Sequence, residues 1–164
     1  MRALIFFLSL WLLVPLSGPA TALDSAQKVR RERPDNLDTS TTISTRSGSL
    51  SASYRTDFIE PPLNGVHSWH LELLDRDNRP VQGAEIAVSA DMPEHLHGMT
   101  TRPVVSETDD PGLYLIRGVN FHMPGYWEVT LDISGAGSRN LLRFNLIVGE
   151  NTCAAVPSED RDAE

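Results

Sequence analysis

Strict alternation of apolar and polar side chains is the feature that most restricts what this chain can fold into. Between residues 126 and 133, large apolar side chains occupy every second position: Trp127, Val129, Leu131 and Ile133. A β-strand sends successive side chains to opposite faces, so this pattern predicts a strand with one buried and one wet face. The same alternation recurs over residues 50–54, 67–73, 84–88 and 142–148.

Turn-forming residues separate these segments. The stretch 77–80 with Gly83, the stretch 109–112, and Gly135 to Gly137 are rich in Asp, Asn, Pro and Gly, which favour tight turns. Shorter strands are predicted at 103–106 and 113–117, around a loop at 91–102, and no stretch shows a useful helical period. The chain is therefore predicted to be all-β, a small immunoglobulin-like β-sandwich of about seven antiparallel strands.

The N-terminus has the pattern of a cleavable signal peptide over residues 1–22. Arg2 is followed by an apolar run from Ala3 to Leu16, and then by the small residues that precede a cut after Ala22. The run is shorter than the roughly 20 residues that a membrane-spanning helix requires. We therefore expect a periplasmic or secreted protein that is not inserted in a membrane after cleavage.

The remaining chain divides by composition into three parts. Residues 23–49 contain few large apolar side chains and are predicted to form a flexible polar linker, and residues 150–164 an acidic disordered tail. One β-sandwich domain is expected between them, over residues 50–149. The single cysteine, Cys153, cannot form an internal disulfide, and it is an incidental thiol, an intermolecular disulfide partner or a metal ligand.

The charge balance excludes some classes of partner. The chain has 14 Lys and Arg against 22 Asp and Glu, a formal net charge of −8. Such a surface repels phosphate and attracts cations, so nucleic acid is not an expected partner. There is no Gly-x-Ser-x-Gly or His-Glu-x-x-His motif, and we expect no enzymatic activity. The sequence does not specify an oligomeric state.

Histidines and methionines concentrate at two corners between predicted strands. The first corner, residues 91–99, holds two histidines and two methionines, and the second is the stretch 122–125. The residues that could hold a metal are Met92, His95, His97, Met99, His122 and Met123. Imidazole and thioether donors together favour copper, and thioether prefers Cu(I).

The spacing within the first corner permits a common site. His95 and His97 are two apart, so an extended loop would point both to one side, and Gly98 would let the chain bend to bring Met99 round. The alternative is that Met92 and the methionine at 123 are apolar caps and the histidines are incidental. His67 is a weaker extra candidate.

Several of these segments together resemble the YtkA-like domain, whose outline is shared by the related FixH-type domains. The resemblance rests on Leu71–Asp75, Pro80–Ala84, the Met92–Met99 loop, Gly112–Tyr114 and Phe121–Val129. It implies a small immunoglobulin-like sandwich, exported or membrane-tethered, in a family often associated with copper handling or with assembly of copper-containing respiratory enzymes. It also implies metal binding at His95, His97 and Met99, with Met92, His122 and Met123 as nearby candidates.

The hypothesis that follows is an exported copper-binding or copper-delivery protein that holds Cu(I), or Cu(II), through a His/Met site. Its partner would be a protein that receives or donates copper. The alternative is a non-metal interaction module that assists assembly of a membrane or respiratory complex.

Overall fold

The computed structural model describes residues 29–135 and 138–150, and every regular element within these ranges is a β-strand. No helix in these ranges is long and apolar enough to cross a bilayer. The predicted signal peptide, the turn residues 136 and 137, and Cys153 with the tail beyond residue 150 lie outside the described residues. The strands are β1 (Thr42–Ser44), β2 (Leu50–Arg55), β3 (His67–Asp75), β4 (Glu85–Met92), β5 (His97–Gly98), β6 (Val104–Glu107), β7 (Leu113–Val119), β8 (Gly125–Gly135) and β9 (Ser138–Val148).

The strands form two antiparallel sheets. One has the order β1-β2-β3-β7-β6, and the other has the order β5-β4-β8-β9. The predicted all-β sandwich is confirmed. Among the described residues there are nine strands rather than about seven, and the two shortest, β1 and β5, have three and two residues.

The core lies between the sheets and follows the alternation in the sequence. It includes Trp69, Leu71, Leu73, Tyr114, Ile116, Trp127, Val129, Leu131 and Phe144, all fully buried. Tyr54 stacks on Trp69 at 4.3 Å between ring centres and meets the edge of Phe144 at 4.9 Å, which joins the two sheets through aromatic contacts. Each such side chain stabilises the fold by about 1.5–3 kcal/mol through burial.

The predicted loop at 91–102 contains a short hairpin. The buried side of β4 continues through Ala90 to Met92, which is fully buried. The chain then turns and returns as β5, pairing Asp91 with Gly98 and Met92 with His97. The apolar alternation of β4 therefore extends into the segment that holds the first corner.

Residues 29–49, part of the predicted polar linker, lie against the sandwich. Strand β1 pairs Thr42–Ser44 with Ser51–Ser53. The side chain of Asn145 on β9 donates a hydrogen bond to the backbone carbonyl of Asp38 at 2.8 Å. Within this segment, Ile43 of β1 is partly buried and packs against the core.

Candidate metal site

The two His/Met corners meet at one end of the sandwich. Strands β4 and β8 are antiparallel neighbours, so the end of β4 lies beside the start of β8. This pairing places the 92–97 hairpin next to the 120–124 loop. The rings of His97 and His122 face each other across this gap, with centres 5.0 Å apart and planes inclined at 37°.

Trp127 supports both imidazoles. Its ring is fully buried, and its centre lies 6.1 Å from that of His97 and 5.5 Å from that of His122, in edge-on contacts. Its Nε1–H donates a hydrogen bond to the backbone carbonyl of Met123 at 3.0 Å. Trp127 therefore fixes the 120–124 loop while its ring packs against the histidines.

The two facing imidazoles each carry an unsatisfied nitrogen. Among the described residues, Nδ1 of His97 and Nδ1 of His122 are buried and have no hydrogen-bond partner. Buried polar atoms are normally paired, and leaving one unpaired costs about 1–3 kcal/mol. Two imidazoles that bind one ion at about 2 Å have ring centres roughly 5–6 Å apart. The separation of the two rings is therefore compatible with a shared metal ion.

His95 lies near His97, on a turn rather than on an extended loop. Its ring centre lies 5.8 Å from that of His97, but the residue is exposed. Leu96, between them, has φ = 60°, so the chain turns here instead of running extended. Within residues 29–135 and 138–150, no three His, Cys, Asp or Glu side chains are grouped so that they could hold a metal ion.

The three candidate methionines differ in burial. Met92 is fully buried, and its Cε would lie 3.0 Å from a Cβ at Gly125, so its side chain belongs to the core beneath the corner. Met99 and Met123 are partly buried and pack against the core. The backbone N–H of Met99 donates to the Ala90 carbonyl at 2.9 Å, which returns the chain along β4.

His67 lies in an aromatic environment. Its ring centre is 4.9 Å from that of Phe58 and 5.6 Å from that of Phe121, and its Nδ1 is 2.8 Å from the Gly65 carbonyl oxygen. Burial lowers the pKa of His67, and the contact with the Gly65 carbonyl opposes this in part. The environment favours the neutral ring.

Sequence reasoning did not identify Trp127 as part of the site. Its place in the alternation indicated a core residue, which it is. The signal that could have found it is its position four residues after Met123, on the strand that leaves the second corner.

Comparison with known proteins identifies the family. The YtkA-like family model matches residues 50–132, which include both corners and slightly more than half of the chain. No match was found among curated proteins. A solved structure, the ZirS C-terminal domain, is similar at 11% identity over 86% of each chain, with a TM-score of 0.37. The match over both corners confirms the resemblance seen in the motifs, and the chain belongs to the YtkA-like family.

Proposed function

We propose that this protein is an exported copper-binding or copper-delivery protein that holds Cu(I), or Cu(II), between His97 and His122. The observation that carries the proposal is the pair of facing imidazoles, 5.0 Å apart, whose buried Nδ1 atoms have no partner among the described residues. A bound metal ion would satisfy such nitrogens.

The donors around this pair favour copper. Imidazole suits copper, and thioether sulfur selects Cu(I). Met99 follows His97 by two residues and Met123 follows His122 directly, so a thioether lies close in sequence to each of the two imidazoles. His95, exposed beside His97, is a further donor for an ion that enters from solvent.

The surroundings favour capture and exchange of a cation. His97 and His122 are partly exposed although their Nδ1 atoms are buried, so the proposed site lies close to the surface. The net charge of −8 attracts cations toward the molecule. With the predicted signal peptide, these features support a periplasmic or secreted protein that exchanges copper with a partner protein.

The direct test is anaerobic competition for Cu(I) against a chromogenic chelator, using the chain without residues 1–22. We expect one tightly bound ion per chain, weakened at least about 100-fold in the His97→Ala/His122→Ala variant, because a lost ligand costs more than the 10–100-fold typical of its supporting contacts. His70→Ala, on β3, is the matched control and should bind like the original protein.

Two further variants separate the donors. Met99→Leu and Met123→Leu retain apolar volume but remove a thioether, and they should weaken Cu(I) more than Cu(II). If the double histidine variant binds Cu(I) as tightly as the original chain, the copper proposal fails. The interaction-module alternative would then be tested by partner capture with the same variant.

A further inference from the structure

Glu128 is a buried carboxylate on the outer side of the four-stranded sheet. Its neighbours on β8, Trp127 and Val129, point into the core, so Glu128 points away from it. Its side chain is nevertheless only 8% exposed. A buried carboxylate is strongly unfavourable unless it is paired and hydrogen-bonded. The groups that pair with Glu128 therefore stabilise the fold at this point.

Arg31 is the main group that covers Glu128. Its two terminal nitrogens donate to the two carboxylate oxygens at 3.0 and 2.5 Å, and the Tyr126 hydroxyl donates to the same carboxylate at 2.8 Å. Burial by itself would raise the pKa of Glu128. The hydrogen bonds from Arg31 and Tyr126, with the positive charge of Arg143, outweigh burial and lower that pKa. Glu128 is therefore a charged anchor for Arg31.

From this anchor, the N-terminal strap, which we define as residues 31–38, reaches the hairpin that carries His97. The backbone N–H of Arg31 donates to the carbonyl of Pro93 at 3.1 Å, and that of Arg33 approaches the Glu94 carboxylate at 3.4 Å. The Arg33 guanidinium also donates to Glu150 at 2.7 Å. The strap thus contacts the two residues that lead into His95 and His97.

Apart from the core contacts of Met92 and Met99, the hairpin is held by a small number of backbone contacts. Strand β5 pairs with β4 through only two residue pairs, Asp91 with Gly98 and Met92 with His97. The turn adds hydrogen bonds from the N–H groups of His95 and Leu96 to the Met92 carbonyl. The bond from Arg31 to Pro93 adds a further backbone hydrogen bond to this turn, from outside the hairpin.

We infer that the N-terminal strap positions the hairpin so that His97 faces His122, and that Arg31 is the positioning residue. This inference rests on the proposed copper site. Ligands must be held within about 0.5 Å of their productive positions to bind well. The planar guanidinium donates a hydrogen bond to each oxygen of Glu128, and this pair of bonds fixes the strap. A lysine cannot reproduce this two-point contact.

The test compares Arg31→Ala and Arg31→Lys with Arg139→Ala. Arg139 is the matched control because it pairs through two nitrogens with Asp132, also on the outer side of β8 but toward the opposite end of the strand. The chain is measured without residues 1–22. The first readout is hydrogen exchange of the Leu96 and Met99 amides, which bond to carbonyls of β4, and the second is Cu(I) affinity.

We expect both amides to exchange about tenfold faster in Arg31→Ala, with Cu(I) binding weakened about 10–100-fold, as for loss of a ligand's supporting contacts. Arg31→Lys should give exchange rates and Cu(I) affinity between those of Arg31→Ala and the original chain. Arg139→Ala should match the original chain in both measurements. Unchanged amide exchange in Arg31→Ala would overturn the positioning role. Faster exchange with unchanged Cu(I) affinity would overturn the link between strap and site.

The two readouts also separate this inference from the proposed function. If the original chain binds no Cu(I), the copper proposal fails and the link between strap and site fails with it. The amide exchange then still decides whether the strap holds the hairpin.

Discussion

Replacing Gly98 with alanine tests whether the close approach of β4 and β5 shapes the candidate site. Gly98 is not among the glycines with positive φ, so its backbone conformation is open to alanine. Space is the obstacle. A Cβ at Gly98 would lie 2.7 Å from Oδ1 of Asp91 and 2.8 Å from the carbonyl oxygen of Ala90, closer than real Cβ atoms come.

The two obstructing atoms differ in how easily they can move. The Asp91 atom is the end of a side chain, whereas the Ala90 carbonyl belongs to a strand paired with β8 and accepts the Met99 N–H at 2.9 Å. The hairpin must therefore shift by a few tenths of an ångström. We expect destabilisation of about 1–3 kcal/mol from overpacking. We also expect Cu(I) affinity to fall about tenfold, because a ligand site tolerates only about 0.5 Å of displacement.

Gly83→Ala is the control for a purely structural effect. Gly83 precedes β4 at the opposite end of the sandwich, has φ = 65°, and would meet no atom within 4 Å of an added Cβ. Left-handed strain should cost about 1–2 kcal/mol. Urea unfolding and Cu(I) competition on both variants should show comparable losses of stability but weaker copper binding only for Gly98→Ala. Equal copper affinities in the two variants would refute the reasoning.

Two other predictions concern the aromatic surroundings of the histidines. Burial lowers the pKa of His67 in the folded protein, and the Gly65 carbonyl opposes this in part. The contribution of His67 to stability is therefore complete above pH 6.5, its ordinary pKa, and is lost as the pH falls below that value. Urea unfolding between pH 8 and 5 should show that His67→Phe loses less free energy of unfolding than the original chain. An identical loss in the two proteins would contradict the prediction. Trp127→Phe removes the donor to the Met123 carbonyl, so we expect about 1–2 kcal/mol less stability and weaker Cu(I) binding in the same competition assay. Unchanged affinity would show that the indole does not support the site.

The strands could be predicted where one face is buried and the other is wet. Strands β3 and β8 alternate clearly, and the fully buried Leu71 and Leu131 fall on the expected face. The face of β8 that was expected to be wet is buried at Tyr126 and Glu128, because residues of the N-terminal segment cover it. Strand β4 was predicted too short, because Met92 is followed by Pro93 and by histidines, which are typical of a loop. Local sequence carries no information about a partner strand. Pairing with β8 extends β4 as far as Asp91, and Met92 pairs with His97 of β5.

The candidate site could be predicted by residue type but not by arrangement. The sequence indicated candidate ligands at both corners but not which of them lie together. The ring centre of His97 lies 5.8 Å from that of His95 and 5.0 Å from that of His122. The turn at Leu96 has a positive φ that leucine rarely adopts, so no sequence rule predicts it. The contact of Arg31 with Glu128 joins two residues that are 97 positions apart in the chain. Arg31 lies in a segment with few apolar side chains, whose composition predicted a flexible linker without packing.

The two proposed ligands receive unequal support from the fold. His122 lies on a loop fixed by Trp127, just before β8, which pairs with β9 along eleven residue pairs. His97 lies on a strand of two residues, held by the hairpin bonds and the N-terminal strap. Segments with few backbone pairings open locally at low free energy, while long ladders do not. If the protein delivers copper as proposed, His97 would therefore be the ligand whose segment opens at the lower free energy, and His122 the more firmly held one.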